Sequence, residues 1–313
     1  MGRRHVKKRS REGAGSMKDG RTGKDVITGL AEKYPLLYLD PNRDSQETYR
    51  KVVLQGAEPE TKILSHFTLD AEDQAELYDT PAGPVEVVTL AKRADYETFV
   101  RGMMAAKKGP LAVVPPTEGA STLSVFNWGR IHAHQAAFLK KEQEAGNPVP
   151  DWGAEFQRFT ANKDNYIDLL VVLSRGPYSH VEAGAAGQKE EDWLRLSDTI
   201  RKYHELTHVI CRRLYPDQVQ PIWDELCADT VGLFAAFGEL DIALEKRFLG
   251  IRESAYVGGR LENYTDHPER LAPEISRVLL RLRDITAEHR DLTPFALIPV
   301  LEERQAELGK NLI

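Results

Sequence analysis

Residues 197–238 constrain the fold most tightly, because they spell two helices with polar groups set one turn apart on each. In "RKYHELTHVICRRLYP" (residues 201–216) and the turn before it, Ile200, Tyr203, Thr207, Ile210 and Leu214 recur at alternating three- and four-residue spacings. They form one mostly apolar helical stripe. Ser197 or Asp198 is the expected N-cap, and Pro216 the stop. "PIWDELCADTVGLFAAFG" (residues 221–238) is a second helix, with Pro221 in its first turn and Gly232 placed for close helix packing.

His204 and His208 lie beside the apolar stripe, one turn apart. At about 6 Å between their β-carbons, two imidazoles can converge on one ion. Glu205 is rotated by one residue, near such an ion but not required to bind it. That is where a base acting on a metal-activated water belongs. Cys211 shares the face but sits about 10 Å along the axis from His204, too far for both to reach one ion. A third ligand must therefore come from another element. Glu225 on the second helix can bind the ion, and Asp229 can accept a hydrogen bond from a ligating histidine.

"HELTH" followed by "ELCAD" resembles the HExxH…ExxxD signature of the gluzincin branch of zinc metallopeptidases, over residues 197–238. The resemblance implies zinc held by His204, His208 and Glu225, Glu205 as general base, and Asp229 behind the ligands. Glu205 and His208 also form an ExxH, the half-motif of di-iron helical bundles. No second histidine in the chain has a glutamate three residues before it, so a di-iron oxidase is not expected.

The chain has 313 residues, 41% hydrophobic and 29% charged, with a net charge of −6. That is globular composition, with no reason for its body to bind nucleic acid. No apolar run reaches the roughly 18–20 residues a membrane helix needs. With only Cys211 and Cys227, a disulfide scaffold is excluded and a cytoplasmic location expected. Residues 1–24 carry nine Lys and Arg against Glu12 and Asp19 and almost nothing apolar. They read as a disordered basic tail, at most a weak nucleic-acid contact, or as leader sequence ahead of a start at Met17.

Residues 25–125 read as an N-terminal α/β region. Strands are expected at 84–91 and at 109–116, and a helix at 94–106. Residues 126–313 read as a zincin-like metallohydrolase region. It has a helix at 129–146, a buried strand at 167–173 in a small sheet whose edge could hold an extended peptide, and helices to the end. The fold class expected is thus α+β, mainly helical in the catalytic region, with a small sheet. The intermediate of amide hydrolysis needs an oxyanion donor, and the stretch "YVGGRLENYTDH" (residues 256–267) offers Tyr264 and His267. The expected function is zinc-dependent hydrolysis of peptide or amide bonds in a peptide or protein substrate, the chemistry of a metallopeptidase. The alternative is a non-catalytic zinc-binding scaffold or sensor built on a zincin-like core, in which Glu205 would have no work as a base.

Overall fold

A computed structural model describes residues 16–116, 118–218 and 220–312. Its centre is a five-stranded sheet: β1 (Ser16–Thr22), β2 (Gln74–Thr80), β3 (Gly83–Leu90), β4 (Ala120–Phe126) and β5 (Ile167–Ser174), in the order β1-β2-β3-β5-β4. Only β3 and β5 pair in parallel. Alternation along these two strands decides the layers. Val85, Val87, Val171 and Leu173 face one core, and Val88, Leu90, Leu170 and Val172 the other. Successive side chains of a strand point to opposite faces, so apolar residues at every position demand cover on both.

The helices α1 (Asp25–Lys33), α2 (Gln46–Gln55) and α3 (Arg93–Lys108) cover the second face, through Ile27, Tyr49 and Phe99. Between β4 and β5 run α4 (Trp128–Glu144) and α5 (Trp152–Thr160). The first face is covered by α6 (Glu190–Leu214), α7 (Pro221–Phe237), α8 (Ile242–Leu249), α9 (Pro268–Glu288) and α10 (Pro294–Glu302). Between α8 and α9 lies a small hairpin, β6 (Ile251–Arg252) and β7 (Ala255–Tyr256). The protein is α+β and mainly helical, as the sequence implies. Among the described residues no helix is long and apolar enough to cross a membrane.

Several details differ from expectation. A boundary at residue 125 would cut β4, whose partner β5 lies beyond it, so both regions share one sheet. Residues 16–22, read as tail, pair antiparallel with β2; the tail reading for residues 1–15 lies outside the described residues. Residues 109–116 form a loop, because Gly109 takes φ 89° and Pro115 and Pro116 have no N–H for a ladder. The buried strand expected at 167–173 is present as β5, between β3 and β4, and the edge near the site belongs to β4. The motif helix starts at Glu190, not near Ser197: three acids stabilise its first turn and Trp193 anchors it in the core.

The contact of α6 with α7 rests on Gly232. A Cβ there would stand 2.7 Å from the Ile200 carbonyl oxygen, a backbone atom that cannot swing aside. Helix propensity alone favours alanine by about 1 kcal/mol. Overpacking outweighs it, and Gly232→Ala is expected to lower stability by about 1–2 kcal/mol in a denaturant titration. An unchanged or raised midpoint would mean that the helices are free to separate.

Candidate metal centre

On antiparallel neighbours, one turn up α6 matches one turn down α7. His204 and His208 therefore meet Asp229 and Asp224 in turn, with Glu225 between them. His204 Nδ1 lies 2.8 Å from Asp229 Oδ1, and His208 Nδ1 lies 2.8 Å from Asp224 Oδ2. In the neutral imidazoles each aspartate accepts the Nδ1 proton, which leaves the Nε2 lone pair available to a metal ion. The two Nε2 atoms are 3.0 Å apart. Glu225 Oε2 is 3.6 Å from His204 Nε2, and Oε1 is 3.2 Å from His208 Nε2.

These separations bear on what the site can hold. Ligands at about 2.0–2.1 Å from a tetrahedral zinc stand about 3.3–3.4 Å from one another, and the three donors here span 3.0–3.6 Å. Glu225 Oε2 is buried without a hydrogen-bond partner among the described residues. Two imidazole lone pairs and a carboxylate packed this closely repel unless a cation lies among them. Burial, and then the neighbouring His208, pull the pKa of His204 down. Burial also opposes a charge on His208, but Asp224 and Glu225 outweigh it and push its pKa up. His204, His208 and Glu225 are thus the residues that could hold a metal ion, and among the described residues no fourth such donor joins them.

The support behind the ligands is buried. Asp229 is fully buried and holds three partners: His204, the Tyr178 hydroxyl at 2.6 Å on Oδ1, and Arg260 on Oδ2. Arg260 also donates to the Tyr178 hydroxyl at 2.9 Å. Ser197, inside α6, accepts the Tyr178 backbone N–H at 3.0 Å and so anchors that tyrosine. Asp229 therefore stands where the sequence puts it. Asp224, Tyr178 and Arg260 were not foreseen as supports. Asp224 is adjacent to Glu225 and carries a usable signal: two ligating histidines need two acceptors, and only Asp229 was assigned. Tyr178 lies in a loop 26 residues before His204 and leaves no pattern.

His204 and Glu205 line a cleft of about 780 Å³, walled also by Tyr264 and by residues just before β4. Glu205 is half-buried, and its Oε2 accepts a 3.3 Å hydrogen bond from Thr122 of the edge strand. Tyr264 lies beside Glu225; burial raises its pKa against the pull of Arg260, so its hydroxyl stays a donor. His267 does not join them. It is exposed, at the N-cap of α9, and absent from the cleft wall, because Pro268 starts the helix there and turns the residue outward. Cys211 and Cys227 are buried free thiols; Cys211 donates to Glu302 at 3.6 Å, and neither is a ligand in the cluster.

Asp224→Asn preserves volume but weakens the acceptor for His208. It is expected to reduce metal affinity about 10–100-fold, read by competition with a chromophoric chelator. Unchanged affinity would show that Asp224 does not tune the ligand.

A family model described as "Family of unknown function (DUF7005)" matches residues 38–296, and the chain belongs to that family. No curated protein and no solved structure matches it.

Proposed function

We propose that the protein is a zinc-dependent hydrolase of the metallopeptidase kind, cleaving peptide or amide bonds in the cleft beside His204 and Glu205. One observation carries this: three metal-type donors, His204, His208 and Glu225, converge next to a glutamate that faces an open cleft and makes no contact with them as a ligand. Zinc, when bound, supplies a Lewis acid that polarises a carbonyl and brings the pKa of water to about 7.

The chain's own residues do the rest. Glu205 takes the proton of the attacking water and passes it to the leaving nitrogen. Thr122 holds its Oε2, and Oε1, with no hydrogen bond among the described residues, is the atom for proton transfer. Tyr264 donates to the oxyanion as it develops. The outer side of β4, the edge strand, offers backbone groups to a peptide in extended form. A non-catalytic scaffold calls for a site closed by four protein ligands, whereas three donors and a cleft support the enzyme. Buried free thiols fit a cytoplasmic setting.

The test is digestion of mixed-sequence peptide pools by zinc-loaded protein, with new termini read by mass spectrometry. Cleavage that disappears with a chelator and returns with zinc is the expected result. No cleavage of any peptide or simple amide pool would overturn the proposal.

A further inference from the structure

Five arginines line the cleft: Arg93, Arg175, Arg201, Arg247 and Arg260. Three are matched by acids. Arg93 pairs with Glu97 at 2.7 Å, Arg175 with Asp198 at 3.0 Å and Glu72 at 2.6 Å, and Arg260 with Asp229. Arg201 and Arg247 are not matched in this way. The Arg201 side chain is only 8% exposed. Its guanidinium donates to the carbonyls of Gly176 and Pro177 at 3.2 Å, which fix its position without cancelling its charge. Asp198 Oδ1 forms only a long ion pair with it, at 3.8 Å, while Oδ2 accepts from Arg175 at 3.0 Å, so one carboxylate is shared between two guanidiniums. Arg247, in the last turn of α8, is exposed, and its side chain has no hydrogen-bond or ion-pair partner among the described residues.

None of the other cleft acids forms an ion pair with Arg201: Glu118 accepts from Tyr96 and Ser121, Glu262 from Tyr256, and Glu205, one turn along α6, from Thr122. Arg201 is also fixed next to the chemistry. It precedes Glu205 by four residues, on the same helix face, and lies over the ring of Tyr178, 5.6 Å from its centroid. A buried guanidinium whose one ion pair is long and shared with a second arginine is poorly compensated, and its planar fork matches a carboxylate better than any other peptide group. We infer that the cleft selects substrates carrying a carboxylate near the bond attacked, and that Arg201 and Arg247 recognise it. The carboxylate is either an acidic side chain or a free C-terminus. This inference rests on the hydrolase reading for its substrate, but binding tests it without turnover.

The measurement is fluorescence anisotropy on the Glu205→Gln protein with one equivalent of zinc. Three hexapeptide pools labelled with an uncharged BODIPY dye are compared: one containing Asp and Glu with amidated C-termini, one with Asn and Gln replacing them and amidated, and the latter with free C-termini. A charge-assisted hydrogen bond is worth about a tenfold change in affinity or more. At least one carboxylate pool is expected to bind that much tighter than the neutral amidated pool, and which one does identifies the source. Arg247→Ala, at an exposed position, and Arg201→Met should each reduce the preference to a few-fold. Arg201→Lys, which keeps the charge, should retain part of it and guards against loss of fold. Equal binding of all pools, absence of binding, or a preference that survives both arginine substitutions overturns the inference. A carboxylate preference in a protein that cleaves nothing would remove the hydrolase reading and leave this one standing. Cleavage without preference would do the reverse.

Discussion

Alanine at His204, His208 or Glu225 is expected to leave the protein with less than about a tenth of its metal, where the wild type holds about one zinc per chain. The three side chains supply all the converging donors among the described residues. Losing one leaves two, and two ligands do not hold zinc against a competing chelator. Stability should follow metal content. An ion at about 1,000 times its dissociation constant stabilises the native state by about 4 kcal/mol, so wild type should melt roughly 5–10 °C higher with zinc than with chelator. The variants should show almost none of that difference. Elemental analysis and paired melting curves read both effects. A wild-type protein without metal, and with melting unchanged by zinc or chelator, would contradict the site.

How much of this could be read from the chain depends on how local each signal is. The convergence of His204, His208 and Glu225 was legible because helical periodicity puts His204 over His208, and because Pro221 and Gly232 mark a second helix able to pack close to the first. Strands β3 and β5 were legible because Val and Leu dominate them. β2 and β4 were not: "QAELYDT" and "ASTLSVF" mix polar and apolar residues without strict alternation, and only pairing with a neighbour makes them strands. The tail boundary failed for the same reason, since Ser16–Thr22 acquires its structure from β2. Arg260 braces Asp229 only through the approach of a loop distant in sequence, which no local pattern signals. His267 looked equivalent to Tyr264 in sequence, and Pro268 separates them in space.

The central claim is that Glu205 is a base beside a metal site rather than part of it. Glu205→Gln tests it most directly, because glutamine keeps the size and polarity of glutamate but accepts no proton at neutral pH. The hydrogen bond from Thr122 survives on the amide oxygen, so the side chain should keep its place. The ligands His204, His208 and Glu225 are untouched, so zinc content should equal that of wild type. Peptide cleavage, measured on both proteins side by side with metal content determined on each, should fall by a factor of about 10² or more. A variant that holds zinc and cleaves as fast as wild type would contradict the account.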